Sequence, residues 1–286
     1  MRIVSWNPGA AYGPYVGRHD EAWRYLESLE PDIALLQECV PAAWALRRWT
    51  VVKPAFSFWT TAVAVPARPT TEVAIPKGNL LARFRGFAAA AEVTVPGIGP
   101  VVAVSVHASA HPANARTLRG LDPAALRRPS ATEPWWNDLF FAGAVELVAG
   151  RRFIVGGDWN TARYVDAHGI PTPVGADSFA RAAEAGWLDL HQAAVGAEER
   201  TWYGRRNPRA YVPDHVFADP ETAMLLASAT VDPAPAEGKL SDHAPVLVNM
   251  DLPAASEDEV EGRAAADAVP PELARRPPTV RLEVIG

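Results

Sequence analysis

The chain has 286 residues, of which 49% are hydrophobic and 21% charged, and its ten tryptophans add bulk to the core of one globular domain, or at most two. This composition excludes collagen-like, coiled-coil and wholly disordered proteins. The formal net charge is −6, and residues 251–286, which contain eight acids and four arginines, contribute −4 of it. The rest of the chain is therefore nearly neutral and lacks the overall basic charge that typically attracts nucleic acid.

The sequence pattern indicates neither a membrane span nor an export signal. No apolar run reaches the roughly 18 residues that a span needs, and the first residues form a strand-like run instead of a charged and then apolar leader. Cys39 is the single cysteine, which excludes an internal disulfide and a CxxC-type zinc site. We therefore expect a cytoplasmic protein without stable membrane association.

Most of the predicted elements are short strands. Runs rich in β-branched and apolar residues, bounded by Gly, Pro or Asp, predict strands at residues 2–6, 33–37, 62–65, 88–95, 101–107, 152–156, 211–218 and 245–251. Apolar residues at helical spacing predict helices at residues 19–29, 41–48, 135–149 and 178–185. Strands outnumber helices and a strand–helix–strand unit opens the chain, so we expect an α+β or α/β sandwich of two mixed β-sheets with helices outside.

The composition changes near Pro253, where Ala, Pro, Glu and Asp become dominant. Too little apolar surface is present there to offset the entropy of ordering the segment. We therefore expect residues 1–252 to form one catalytic domain and residues 253–286 a mostly disordered tail. Residues 279–285 alternate weakly, a pattern compatible with an edge strand.

One long segment, residues 108–134, has no regular pattern. A loop of this length in a compact domain is usually functional or disordered. It carries four arginines. Arg116 and Arg119 are candidates for substrate binding, whereas Arg127 and Arg128 are expected on solvated faces.

Polar side chains follow almost every apolar run. They are Asn7, Glu38, His107, Asp158, Asn160, Asp214, Asp242 and His243. Because strands of one sheet core deliver their end residues to a common rim, we expect an oxygen-rich metal pocket with histidine beside it. Hard oxygen ligands favour Mg²⁺ or Mn²⁺ over zinc. A metal and a base directed at one phosphorus are what phosphoester hydrolysis requires.

Each of these residues also has an ordinary structural interpretation. Glu38 is placed like a first-turn helix acid, and Asn7 like a turn former ahead of Pro8 and Gly9. Asp158 is equally compatible with a turn or cap, as are Asn160 and Asp242, and His107 with a buried, hydrogen-bonded histidine. Their joint order and spacing favour the catalytic interpretation.

Taken in order, these segments resemble the endonuclease/exonuclease/phosphatase superfamily, which includes pancreatic-type deoxyribonucleases, apurinic endonucleases, sphingomyelinases and inositol polyphosphate phosphatases. The resemblance spans residues 1–250 and implies a four-layer α/β sandwich. Five ordered motifs carry it: Arg2-Ile3-Val4-Ser5-Trp6-Asn7, Asp32-Ile33-Ala34-Leu35-Leu36-Gln37-Glu38, Gly157-Asp158-Trp159-Asn160, Asp214-His215-Val216-Phe217 and Ser241-Asp242-His243.

The resemblance also implies the metal site. Glu38 is expected to be the principal ligand of Mg²⁺ or Mn²⁺, with Asn7 and Asp242 near the same cation. The chain departs from the family pattern directly after Asn7, where Pro8-Gly9-Ala10 replaces the usual turn. That departure removes no ligand.

The same resemblance implies the catalytic roles. Asp158 is expected to position and deprotonate the attacking water, with Asn160 holding that water or a phosphate oxygen. His243 is expected to face the phosphate as acid or charge stabiliser, oriented by Asp214. His107 is expected to contact the phosphate or the leaving group.

Three functions remain open from sequence. The first is a metal-dependent phosphoesterase, expected to be monomeric, that hydrolyses phosphodiester bonds in nucleic acid as an endonuclease or exonuclease. The second is a phosphatase or phosphodiesterase acting on a lipid or a small phosphorylated molecule, since the near-neutral charge of residues 1–250 weakens multi-phosphate binding. The third is an inactive binding module, against which the intact Glu38, Asp158, Asp242 and His243 argue.

Overall fold

The computed structural model describes residues 1–11, 13–54, 60–66, 70–84, 86–109, 111–164, 173–204 and 211–254. One sheet within them contains β1 (Arg2–Trp6), β2 (Ile33–Leu36), β3 (Trp49–Val52), β4 (Ala62–Pro66), β11 (Leu226–Val231) and β12 (Val246–Met250). Its strand order is β11-β12-β1-β2-β4-β3. The pair β1 and β2 is parallel and the other neighbours are antiparallel, so the sheet is mixed.

The second sheet contains β5 (Thr70–Glu72), β6 (Ala88–Val95), β7 (Gly99–His107), β8 (Phe153–Asp158), β9 (Leu188–Asp189) and β10 (Asp214–Ala218). Its strand order is β5-β6-β7-β8-β10-β9. Here β7 and β8 form the parallel pair. This sheet is therefore mixed as well, as the sequence predicts.

Seven α-helical segments accompany the sheets in the described residues. They are α1 (His19–Ser28), α2 (Pro123–Leu126), α3 (Trp136–Val148), α4 (Pro173–Glu184), α5 (Leu190–Val195), α6 (Pro220–Ala223) and α7 (Ala234–Glu237). Single 3₁₀ turns form at Gly13–Tyr15, Ala45–Arg47 and Leu80–Arg83.

The two sheets face each other across an apolar core. Ile3 of the first sheet and Ile154 of the second are fully buried in it. Helix α1 covers the outer face of the first sheet through Trp23, whereas α3 and α4 cover the outer face of the second through Phe140 and Phe179. Each sheet thus buries both faces, which gives the four-layer α/β sandwich that the family resemblance implies.

Every predicted strand is present, with its ends shifted by three residues at most. The helix predicted at residues 41–48 is wrong, because only the 3₁₀ turn Ala45–Arg47 forms there. The N–H groups of Ala45, Arg47 and Arg48 bond to carbonyls three residues earlier, which is the 3₁₀ pattern, and Trp49 already begins β3.

The segment 108–134 is irregular as predicted, apart from α2, but the expectation that Arg128 is solvated is wrong. This side chain is fully buried, and its Nε lies 3.0 Å from Oδ1 of Asp138 in α3. Its Nη1 donates to the hydroxyl of Ser178 in α4 at 3.0 Å. The arginine therefore fastens the long loop to the outer helix layer.

Residues 255–286, which contain nearly all of the predicted tail and the possible strand at 279–285, lie outside the described residues.

None of the helices that the structure describes combines the length and the hydrophobicity needed to cross a bilayer.

Candidate active site

Three predicted site residues meet because of strand register in the second sheet. Asp158, at the end of β8, is the register partner of His107 on parallel β7 and of Asp214 on antiparallel β10. These residues are buried. Three neighbouring strands therefore present an imidazole and two carboxylates side by side at one end of the strands, which we call the site edge of the sheet.

The first sheet adds its residues at the same edge. Asn7 follows β1, and its amide nitrogen donates across the gap between the sheets to Asp158 Oδ2 at 3.1 Å. The same nitrogen lies 3.4 Å from Glu38 Oε1, after β2. The Ser241 hydroxyl donates to the Asn7 carbonyl at 2.7 Å and accepts the N–H of His243 at 2.9 Å, which fixes the approach to β12.

The two histidines stand on either side of Asp158. Nδ1 of His243 hydrogen-bonds to Asp214 Oδ2 at 2.9 Å, and its Nε2 lies 3.7 Å from Asp158 Oδ2. His107 places its Nε2 3.6 Å from Glu38 Oε1 and 3.7 Å from Asp158 Oδ2. Five of the predicted residues, Glu38, His107, Asp158, Asp214 and His243, therefore lie around one small volume.

Unusual backbone conformations occur at this edge. Glu38 has φ 43° and Asn160 has φ 47°, values that residues other than glycine adopt rarely. In this conformation Asn160 forms two hydrogen bonds. Its backbone N–H donates to Asp158 Oδ1 at 2.9 Å, and its side-chain amide nitrogen donates to the Ala108 carbonyl at 2.8 Å. The turn after β8 is thus tied to its own carboxylate and to the start of the long loop.

Gly157 is required by close packing next to Asp158. Its φ is 151°, and a Cβ there would lie 1.9 Å from the carbonyl oxygen of Val106. Because β7 and β8 pair at this position, no shift of a flexible side chain can relieve the clash.

Burial and mutual charge set the protonation of the site. Burial raises the pKa of Asp158 to about 7, although the charge of His243 opposes the rise. Burial disfavours protonated His243, but the carboxylates of Asp214 and Asp158 outweigh it and raise its pKa to about 10. Burial, with the charge of His243, lowers the pKa of His107 to about 3. The site therefore contains one cationic and one neutral imidazole at neutral pH.

The donor set fits a hard divalent cation. Glu38, Asp158 and Asp242 line one pocket, and burial raises the pKa of Glu38, as does the charge of Asp242. So many clustered carboxylates favour a cation with oxygen ligands. The side-chain oxygen of Asn7, Oδ1, by contrast, already accepts the N–H of Gly9 at 2.9 Å. Asn7 therefore presents its amide nitrogen to the carboxylates.

One group of three ligand-type side chains lies close together in the described residues. One atom each from Asp158, Asp214 and His243 falls within 4.8 Å of the others. Since Nδ1 of His243 already bonds Asp214, this trio has the arrangement of a hydrogen-bonded catalytic unit.

The site opens into a cavity of about 640 Å³ whose walls sequence reasoning largely missed. Tyr15, Phe87, Trp136 and Trp202 line it. The Trp136 ring packs against Phe87 at 5.4 Å on the His107 side, whereas Trp202 donates its indole N–H to Asp242 at 3.2 Å on the opposite side. The sequence signal for this wall is the Trp135-Trp136 pair that follows the long loop.

The two candidate substrate-binding arginines do not line this cavity. Arg116 and Arg119 are exposed on the long loop. The exposed side chain of Arg83 donates to the Thr117 carbonyl at 2.7 Å and the Arg119 carbonyl at 2.9 Å, so three arginines lie on or against one turn. Their contact with substrate stays a prediction.

Comparison with known proteins identifies the family and the fold. The sequence model described as Endonuclease/Exonuclease/phosphatase family matches residues 9–243. No curated protein sequence matches the chain.

Solved structures with the same fold include two of NExo. The 3′-5′ exonuclease NExo from Neisseria meningitidis has a TM-score of 0.66 and 20% identity, covering 88% of this chain and 100% of that one. NExo from Neisseria, as a 3′ phosphatase bound to product DNA hairpin, has a TM-score of 0.65 and 20% identity, with 88% and 99% covered. An AP endonuclease from Archaeoglobus fulgidus has a TM-score of 0.63 and 16% identity, with 88% and 100% covered.

Proposed function

The chain belongs to the endonuclease/exonuclease/phosphatase family, and we propose that it is a metal-dependent phosphoesterase that hydrolyses phosphodiester bonds in nucleic acid. One observation carries the proposal: Asp158 lies between two imidazoles of different charge, with Glu38 beside it. A base, an acid and an anionic metal site around one small volume are the groups that attack at phosphorus requires.

The proposed metal ligands are Glu38 and Asp242, with Asn7 beside them. A bound Mg²⁺ or Mn²⁺ supplies Lewis-acid stabilisation of charge on the phosphoryl oxygens. Asn7 contributes by holding Glu38 and Asp158 through its amide nitrogen, as its hydrogen bonds indicate.

The proposed base is Asp158. A pKa of about 7 is close to that of an efficient base at neutral pH, and the N–H of Asn160 orients one of its oxygens. His243, cationic and held by Asp214, donates a hydrogen bond to the negative charge that develops on the phosphoryl group. Neutral His107 faces the same volume and contacts the phosphate or the leaving oxygen.

Three observations favour nucleic acid as the substrate. Aromatic side chains on opposite sides of the cavity suit the flat face of a base or the apolar face of a sugar. The arginines at 83, 116 and 119 offer exposed positive charge to further phosphates on the same strand. One structure with this fold, the 3′ phosphatase NExo, has product DNA hairpin bound, and another is an AP endonuclease, which supports the same choice.

The near-neutral charge of residues 1–250 favours a second candidate, a phosphatase acting on a small phosphorylated molecule. The two candidates share the site and differ in how much surface the substrate contacts.

A substrate panel tests the proposal. Purified protein with Mg²⁺ or Mn²⁺ is incubated with single-stranded, duplex, abasic and 3′-phosphorylated DNA, with RNA, and with small phosphomonoesters. We expect metal-dependent cleavage of at least one nucleic acid, abolished by chelation. Turnover of small phosphomonoesters alone establishes the phosphatase instead, and no turnover of any substrate contradicts both.

Charge-reversal variants sharpen that test. Arg116→Glu and Arg119→Glu should raise KM for an oligonucleotide and leave hydrolysis of bis(p-nitrophenyl) phosphate unchanged, because the latter has a single phosphate. Arg151→Glu is the matched control, since Arg151 is exposed and precedes β8 at the end opposite Asp158. Equal effects of all three variants would contradict a substrate contact at the loop.

A further inference from the structure

A buried histidine outside the cavity joins the two chain segments that deliver the catalytic carboxylates. His215 follows Asp214 in β10, and because successive strand side chains alternate, it points to the outer face of the sheet. There its ring packs edge-on against Phe179 of α4, with centroids 4.6 Å apart. Only 2% of His215 is exposed, so neither solvent nor substrate reaches it.

Both ring nitrogens of His215 face hydrogen-bond acceptors. Nδ1 lies 3.1 Å from Asp189 Oδ2. Nε2 lies 2.7 Å from the Val212 carbonyl and 3.2 Å from the Thr161 carbonyl. Since a carboxylate and carbonyls only accept, each nitrogen must carry a proton for these contacts to be hydrogen bonds. The ring is therefore bound as an imidazolium.

The two carbonyls belong to different segments of the site. Thr161 ends the turn that carries Asp158, and Val212 lies two residues before Asp214. Asp158 and Asp214 are register partners at the last pair of β8 and β10, and beyond them one backbone hydrogen bond, from the Trp159 N–H to the Pro213 carbonyl at 2.8 Å, joins the two segments. The His215 ring bridges the chains at that point.

The carboxylate that holds the ring is itself held from several sides. Asp189 caps α5 by accepting the N–H of Gln192 at 3.2 Å, and Arg163 Nη2 donates to Asp189 Oδ2 at 3.2 Å. The Arg163 guanidinium also lies over the Phe179 ring, 4.0 Å from its centroid. Asp189 thus anchors His215 to the start of α5 and to Arg163.

We propose that His215 is a positioning residue, which sets the spacing of Asp158 and the Asp214–His243 pair by cross-linking the Thr161 and Val212 carbonyls through an anchored imidazolium. It touches neither metal nor substrate. Because a displacement of about 1 Å at a catalytic group can reduce turnover roughly 100-fold, a bridge at this point has a direct catalytic effect.

The test compares His215→Phe with His191→Phe. His191 is the matched control, since it is also buried and also pairs with a carboxylate, Glu199, at 2.9 Å, but forms no hydrogen bond to either site segment in the described residues. Two readouts are used: kcat and KM for the substrate found in the panel, and the Nδ1 proton resonance of His243 in protein carrying ¹⁵N-histidine. The second readout reports the Asp214–His243 bond whether or not the protein turns over a substrate.

We expect His215→Phe to lower kcat per folded molecule roughly 10- to 100-fold with little change in KM, and to shift or broaden the His243 resonance. His191→Phe should change neither. If His215→Phe does not fold, His215→Gln and Asp189→Asn are judged by the same readouts. An unchanged His243 resonance with normal kcat in a folded variant would overturn the proposal. The activity readout alone rests on the proposed function, so absence of wild-type turnover refutes that function, and the resonance then decides the role of His215.

Discussion

The Asp214 carboxylate and the His243 ring are joined by a 2.9 Å hydrogen bond at Nδ1, and this bond determines what the other ring nitrogen can do. With Nδ1 engaged, Nε2 is directed toward Asp158, 3.7 Å away. The second oxygen of Asp214, Oδ1, is buried without a hydrogen-bond partner among the described residues. The carboxylate therefore depends on His243 for its pairing, as His243 depends on it for orientation.

Glu38→Gln should weaken metal binding, because it removes one anionic oxygen from a hard-cation site. Activity should fall at limiting Mg²⁺ and return in part at high Mg²⁺, whereas the fold should be retained. Titration of turnover against Mg²⁺ measures the shift. If the variant turned over normally at limiting metal, Glu38 would not be the principal ligand.

Gly157→Ala should destabilise the protein by at least about 3 kcal/mol, since a Cβ would collide with the Val106 carbonyl and the φ of 151° is unfavourable for alanine. Gly78→Ala is the control, because a Cβ at Gly78 meets no atom within 4 Å. Urea unfolding of both variants makes the comparison. Equal free energies of unfolding in the two variants would show that β7 and β8 tolerate separation.

The Asp189–His215 pair predicts a pH dependence of stability. Burial disfavours both charged groups, but their mutual hydrogen bond and charge lower the pKa of Asp189 and raise the pKa of His215. Because its pKa is raised, His215 contributes its full stabilisation below the unfolded pKa of about 6.5, and this contribution is lost as pH rises through the folded pKa. Because its pKa is lowered, Asp189 contributes its stabilisation above the unfolded pKa of about 3.9, and this contribution is lost as pH falls through the folded pKa.

The stability gap between wild type and His215→Gln should therefore be largest between about pH 4 and 6.5 and shrink at higher pH. Urea unfolding at several pH values, without divalent cations, measures this gap. A gap that widened steadily above pH 7 would contradict a buried ion pair at this position.

The sequence was most informative where a strand ends in a polar residue. Parallel and antiparallel pairing then decides which ends meet, and the register of His107, Asp158 and Asp214 follows directly from it. The fold class and the family membership were accessible for the same reason, since the five motifs sit at these strand ends.

Long-range partners were the part that could not be inferred. The burial of Arg128 depends on how α3 and α4 pack around the loop, and the role of His215 depends on Asp189, 26 residues earlier. Local patterns contain no signal for such pairs. The helix predicted at residues 41–48 was also wrong, since a 3₁₀ turn forms there and β3 begins directly after it.

The most direct test is turnover of the cleaved nucleic acid at saturating Mg²⁺ by Asp158→Asn, His243→Ala, the double variant and Asp214→Asn, with circular dichroism confirming the fold. Asp158→Asn and His243→Ala should each lose at least roughly 100-fold, since a positioned base or acid contributes that much. The double variant should be little worse than the poorer single one, because groups that act as a unit are not additive. Asp214→Asn should lose less, since it leaves the imidazole in place but poorly oriented. Near-normal turnover by folded Asp158→Asn or His243→Ala would contradict the mechanism.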